Sequence, residues 1–149
     1  MQEIKDSKQA TVRIGFDGRV YKRYHGTMAR ERFNNEVRVL RYLDEQGCKF
    51  VPRLLSVNED EPSIVTTNCG HIAEKISEAK QNQLFQALEQ YGVRHEDRFA
   101  RNITYDAREG RFCLIDFEFA TILATDEGLT LDEVEAERKR QPHPDIDKL

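Results

Sequence analysis

Apolar and polar positions alternate early in the chain. Val12, Ile14 and Phe16 are separated by polar or small residues, and Val20 resumes the pattern beyond Asp17-Gly18. A period of two predicts half-buried strands, and Asp-Gly between two such runs predicts a hairpin whose turn residues both take positive φ. Lys22 then falls inside the second strand. The period lengthens in MARERFNNEVRVLRYLDEQG, where Phe33, Val37, Leu40 and Leu43 recur at helical spacing and Gly47 supplies a stop. Glu36 stands beside Val37, at the margin of the buried face. VPRLLSVNEDEPSIVTTNCG predicts two short strands around the turn NEDEP, which completes a block of hairpin, helix and hairpin.

The pattern breaks around TNCGH, which predicts a hinge. A second helix follows in SEAKQNQLFQALEQYG, with Ser77 as its cap, Leu84, Ala87, Leu88 and Tyr91 as its stripe, and Gly92 at its end. NITYD and RFCLIDFEFA predict two strands joined by AREG. TLDEVEAERKRQ predicts a short, highly charged, solvated helix, with a capping box from Thr130 and Glu133 and with Pro142 and Pro144 beyond its end. Residues 1–10 are polar, and fraying is expected there. These elements make an α+β chain without internal repeats.

Composition narrows the class. With 149 residues the chain forms one domain or two small lobes sharing a cleft. A chain of that size buries roughly 70% of its unfolded surface, so neither disulfides nor metal are needed for folding. Apolar residues at 38% against 34% charged indicate a globular chain and not a disordered one. A net charge of −4 gives no electrostatic reason to expect nucleic acid or an anionic membrane as partner. Cys48, Cys69 and Cys113 are odd in number and lack C-x-x-C spacing, which argues against a disulfide framework or a zinc site, and Cys113 reads as a packed core thiol. His25, His71 and His143 are linked by no metal spacing. MQEIKDSKQA has no apolar core, and no apolar run reaches the ~18 residues that span a bilayer. The expectation is a soluble, cytoplasmic protein of a reducing compartment.

Five polar residues then fall where a nucleotide cleft needs them. Phosphoryl transfer asks a protein mainly for positioning and charge neutralisation. Lys22 on a strand supplies a cation for phosphates, and Glu36 on the next helix supplies a carboxylate to fix that cation. Asn102 opens one predicted strand and Asp116 closes its neighbour, so a hairpin brings together two hard-oxygen ligands of the kind magnesium takes. Asp97 stands five positions before Asn102, where a base is needed. Each residue alone has a plainer reading: an exposed strand lysine, a solvated helix glutamate, a salt-bridged loop, surface arginines at Arg98 and Arg101. Glu118 reads first as the partner of an arginine and second as an aid to a metal. A carboxylate following the apolar FCLI, as Asp116 does, needs a partner or a metal.

The order of these residues carries a resemblance. HEDRFARN resembles the H-x-D-x-x-x-x-N catalytic loop of the protein-kinase-like superfamily, LIDFEFA its D-F-G segment, and VYK the end of its lysine-bearing strand. LIDFEFA is most similar to the choline-kinase and aminoglycoside-phosphotransferase branch, and DRFARN is also similar to the tyrosine-kinase loop. The resemblance implies a minimal bilobal kinase-like fold: a small antiparallel sheet with one helix over about 11–68, and a reduced helical part over about 72–149. It implies ATP and Mg2+ as cofactors. Asp97 would orient or deprotonate the acceptor hydroxyl, Asn102 and Asp116 would hold magnesium, and Lys22 would contact the α and β phosphates while paired with Glu36. His95 would buttress the loop, Arg101 would neutralise the transferring phosphoryl group, and the hinge at Thr67 and Cys69 would offer backbone hydrogen bonds to adenine. The chain departs from the pattern in two places. GFDG stands where a G-x-G-x-x-G is expected, and 33 residues follow Asp116 with no A-P-E. The implied activity is γ-phosphoryl transfer to a hydroxyl acceptor, small molecule or protein, with a homodimer or partner protein completing the acceptor site. The alternative is a pseudokinase acting as a regulatory interaction module, which the reduced glycine loop favours.

Overall fold

In the computed structural model, which describes residues 2–6 and 9–141, the alternating run folds as strands that extend further toward the start than the pattern predicts. Strands β1 (Gln2–Asp6), β2 (Ala10–Ile14) and β3 (Val20–Tyr24) pair in antiparallel succession. The expectation of a frayed start therefore fails over Gln2–Asp6. Strand addition draws on backbone donors and acceptors, so a polar segment beside the open edge of β2 pairs without an apolar signal of its own. The β2–β3 turn also differs from the expectation. It is a five-residue connection, Gly15–Arg19, closed by Gly15 N–H to Arg19 O and Gly18 N–H to Gly15 O, both at 2.9 Å. Gly18 alone within it takes positive φ, 79°. Asp17 instead accepts hydrogen bonds from Arg19 N–H and the Tyr21 hydroxyl. Phe16 belongs to this loop and not to the strand, and is 96% exposed.

Helix α1 (Ala29–Glu45) buries Phe33, Val37, Leu40 and Leu43 as its spacing predicts, together with Arg32, Asn35 and Glu36. The hairpin around NEDEP forms from β4 (Leu54–Asn58) and β5 (Ser63–Thr66). Strand β5 joins β3, giving a five-stranded antiparallel sheet in the order β1-β2-β3-β5-β4. Lys22 is thus on the central strand, opposite Val12 on one side and Ile64 on the other.

Beyond β5 come β6 (His71–Ile72), α2 (Glu78–Glu89), β7 (Val93–His95), a 3-10 turn at Ala100–Asn102, β8 (Ile103–Asp106), β9 (Arg111–Leu114), β10 (Ala120–Ile122), β11 (Glu127–Gly128) and α3 (Leu131–Arg140). Ser77 and Thr130 cap α2 and α3 by accepting from Lys80 N–H and Glu133 N–H, as their positions predict. Pro142 and Pro144 lie outside the described residues. The predicted strand over 111–120 is two strands in two sheets: β9 in the order β6-β8-β9, and β10 in the order β11-β10-β7. Asp116 divides them, with φ 65°. The Asn35 amide then draws the chain against α1 by donating to Glu118 O at 2.9 Å and Ala120 O at 3.1 Å.

The architecture is α+β, with three antiparallel sheets and three α-helices among the described residues. One apolar cluster joins them: Phe33, Leu40 and Leu43 from α1, Phe85 and Leu88 from α2, and Val93, Ile103, Leu114, Phe117 and Ile122 from the strands and their connection. Full burial of each such side chain contributes roughly 1.5–3 kcal/mol. Phe119, Leu129 and Val134 form a smaller cluster beneath α3. Among the described residues no helix is long and apolar enough to cross a membrane.

Candidate active site

Strand parity decides where Lys22 points. Lys22 and Tyr24 share the buried face of β3, while Arg23 between them is exposed. The Lys22 side chain is only 10% exposed and meets three carboxylates, with Glu36 Oε1 at 2.8 Å, Asp116 Oδ1 at 3.0 Å and Glu118 Oε2 at 3.2 Å. Burial opposes the charge of the amine, but Asp116, Glu118 and Glu36 together outweigh that penalty and hold its pKa well above the ordinary lysine value. The structure therefore unites Lys22, Glu36 and Asp116 from β3, α1 and the segment after β9.

Glu36 is the hub of this cluster. Its Oε1 also accepts from the Tyr24 hydroxyl, and its Oε2 accepts from Phe117 N–H at 2.8 Å. Helix α1 is thereby fastened both to the sheet and to the backbone directly after Asp116. Glu118 does find an arginine, in Arg32, whose Nη1 donates to its Oε1 at 2.7 Å. Arg32 is fully buried and also donates to Thr27 O, Gln9 O and His25 O. These bonds tie down the loop entering α1, where Met28 takes φ 54° and no side chain caps the helix. Burial, with Asp116 and Glu36 nearby, pushes the Glu118 pKa up to about 7 against the pull of Lys22.

A second group forms around Asp97. Asp97 N–H donates to His95 Nδ1 at 3.0 Å, so Nδ1 must carry a lone pair, and Nε2 then donates to Ile115 O at 3.0 Å. Burial, opposed by the Ile115 carbonyl, lowers the His95 pKa and favours this neutral form. The ring is wedged between Phe85 and Phe117. His95 thus links the Asp97 loop to the residue preceding Asp116. Asn102 Nδ2 donates to Asp97 O at 2.8 Å and to Asp97 Oδ2 at 2.9 Å, and Arg101 Nη2 donates to Asp97 Oδ1 at 2.6 Å.

Asn102 and Asp116 flank the open end of the β8–β9 hairpin. Ile115 N–H donates to Asn102 O at 2.9 Å, which leaves Asp116 one residue beyond the pairing. No residue among those described donates to Asn102 Oδ1, and none of the buried side-chain nitrogens and oxygens among them lacks a partner. Asn102 itself is only 3% exposed, so Oδ1 has at most a narrow opening to solvent. A carbonyl oxygen and a carboxylate at one edge suit a small hard cation that keeps most of its water. Among the described residues no three His, Cys, Asp or Glu side chains cluster as a metal site, and the Asp116 carboxylate is already engaged by Lys22.

Thr67 and Cys69 lie in the segment between β5 and β6, and among the described residues no hydrogen bond or ion pair joins them to Lys22 or Asp97. Thr67 N–H donates to Arg53 O, Thr67 O accepts from the Thr66 hydroxyl, and Cys69 O accepts from the Thr104 hydroxyl. Cys69 N–H has no partner among the described residues. A cavity of about 520 Å³ lies elsewhere, on the outer side of α1, lined by Arg38, Arg41, Tyr42, Glu59, Ile122 and Glu127 among others. It gathers none of the residues above, and its Arg38 is engaged by Asn35 and Glu127. The side-chain cluster, and not that cavity, defines the candidate site.

Sequence reasoning passed over Arg32, Asn35 and Tyr24. Positions 32, 36, 39 and 43 form one helical row whose last two members are Val39 and Leu43, so the row itself flags Arg32 and Glu36 as buried. Tyr24 shares the parity of Lys22. Comparison of the chain with protein-family models and with curated proteins found no match.

Proposed function

We propose that the chain is a minimal bilobal protein-kinase-like phosphotransferase that uses ATP and magnesium to phosphorylate a hydroxyl acceptor. The observation that carries this reading is the buried Lys22 amine bound to Glu36 and Asp116, with Asp97 and Asn102 linked to the same segment through His95. Lys22, kept charged by its carboxylates, binds the phosphates, and Glu36 holds its position from α1. Asn102 Oδ1 and the Asp116 carboxylate would hold magnesium, which when bound neutralises phosphate charge. Asp97 orients the acceptor hydroxyl. The hydroxyl oxygen attacks the γ-phosphorus, the bond to the β–γ bridging oxygen breaks with its electrons leaving on ADP, and the hydroxyl proton passes to Asp97. Cys69 N–H is the hinge donor available to adenine. A second copy of the chain, or a partner protein, completes the acceptor side.

The test is a thermal shift followed by transfer from labelled ATP. Mg-ATP raises the melting temperature of the wild-type protein, Asp116→Ala abolishes the shift, and Asp97→Ala keeps the shift but loses transfer. One observation favours a second reading, a nucleotide-binding regulatory module: Lys22 is already ringed by three carboxylates, and each Asp97 oxygen already holds a donor. A Mg-ATP shift without turnover in the wild type selects that module, and indifference to Mg-ATP refutes both.

A further inference from the structure

We infer that the acceptor handled at Asp97 carries an oxyanion, a carboxylate or a phosphate group, which Arg101 binds and which draws Arg101 off the Asp97 carboxylate. This rests on the phosphotransferase reading and names its substrate class. The starting point is that both Asp97 oxygens are engaged, Oδ2 by Asn102 and Oδ1 by Arg101 at 2.6 Å. The Asp97 side chain is 7% exposed, whereas that of Arg101 is 59% exposed. Arg101 therefore forms the solvent side of the pair and stands between Asp97 and an arriving hydroxyl.

Arg101 is held from its other face by Phe99. Its guanidinium carbon lies 4.5 Å from the centre of the Phe99 ring, and that phenylalanine is 54% exposed. This contact restrains the guanidinium against the ring, and the side chain's 59% exposure leaves it donors toward solvent. A guanidinium has five N–H donors, and Asp97 is its one polar partner among the described residues. The remaining donors face solvent as a planar fork, the geometry that carboxylates and phosphates fill with two parallel hydrogen bonds. Arg98, exposed in the same turn, adds positive charge. A neutral alcohol has nothing to exchange for the Arg101–Asp97 contact. An acceptor with an oxyanion replaces that contact and leaves Asp97 Oδ1 to its hydroxyl, so release of the base is coupled to recognition.

The experiment uses the full chain with matched three-carbon acceptors: glycerol, glycerate and glycerol 3-phosphate. Arginine Nε–H signals are followed in 1H–15N spectra without nucleotide, Arg101 being assigned by its loss in Arg101→Gln. The Arg101 signal moves saturably with glycerate or glycerol 3-phosphate and stays still with glycerol, and the two anions distinguish carboxylate from phosphate. In transfer assays the better anion exceeds glycerol in kcat/KM by on the order of tenfold, the effect of one charge-assisted hydrogen bond. Arg101→Gln brings that ratio to about one, and Arg101→Lys, which keeps charge without the fork, retains part of it. An Arg101 signal unmoved by either anion overturns the inference, as does a ratio that survives Arg101→Gln. Transfer without anion preference overturns it while leaving the phosphotransferase intact. Saturable movement of Arg101 without any transfer supports the subsite and counts against the enzyme.

Discussion

His95 is neutral by construction, because its Nδ1 accepts from Asp97 N–H while its Nε2 donates to Ile115 O. A second ring proton would face the Asp97 N–H head on. Burial lowers its pKa below the ordinary histidine value. As pH falls, the unfolded chain therefore takes up the proton first, so the stabilisation is complete above about pH 6.5 and is lost progressively below it. Glu118 acts in the opposite sense, since its pKa is raised to about 7 and its contribution is lost as pH rises through that value. Comparison with a variant separates the two. His95→Asn is less stable by about 2 kcal/mol near neutrality, from loss of the ring between Phe85 and Phe117, and its urea midpoint falls less than that of the wild type between about pH 7 and 5.5. Glu36 is a different case, a carboxylate with three donors. Glu36→Gln leaves Lys22 and Phe117 N–H imperfectly matched in a buried site and costs about 3 kcal/mol in urea denaturation at neutral pH.

At the scale of elements, the connection between β5 and β6 is built around a backbone contact that excludes any side chain. Gly70 has φ 93°, and a Cβ there would lie 2.0 Å from Tyr105 O, on the strand that β6 pairs with. Gly70→Ala must push β6 from β8 and is expected to cost about 3 kcal/mol. Gly47→Ala, at φ 78° with nothing near the added atom, costs about 1 kcal/mol from the left-handed backbone alone. Paired chemical denaturation of the two variants measures the difference. Elements whose signal is local were legible in the sequence: the β4–β5 hairpin, the stripe of α1, and the Ser77 and Thr130 caps. Strands β7, β10 and β11 have two or three residues each and exist through their partners, so periodicity had too few positions to reveal them. The break at Asp116 was hidden because apolar residues continue on both sides of it. Of the site, the order Lys22, Glu36, Asp97, Asn102, Asp116 and the pairing of Lys22 with Glu36 were legible, whereas the direct contact of Lys22 with Asp116 was not. That Glu118 would find an arginine was also expected, but which one was not, because positions 32 and 118 are far apart in the chain and only the fold brings them together.

The whole molecule turns on α1, which is the shared support of the sheets. Its apolar row enters the one large cluster that also holds Ile64 of β5, Leu88 of α2, Ile103 of β8, Leu114 of β9 and Ile122 of β10. Its polar row reaches Lys22 through Glu36, and the segment after β9 through Asn35, Arg32 and Glu36. All three sheets contribute side chains to that one large cluster, so loosening of α1 uncovers buried apolar area that each of them shares. Leu40 is almost wholly buried within that cluster. Leu40→Ala is expected to destabilise by about 3 kcal/mol and to do so for all three sheets at once. Native-state hydrogen exchange checks this directly: the most protected amides of β3, β8 and β10 lose protection by the same free energy. If β8 and β9 kept their protection while β3 lost it, the chain would contain two cooperative units and the ion cluster around Lys22 would be a contact between them. A uniform loss makes Lys22, Glu36 and Asp116 parts of one rigid frame, in which the buried amine and its carboxylates are held at fixed distances.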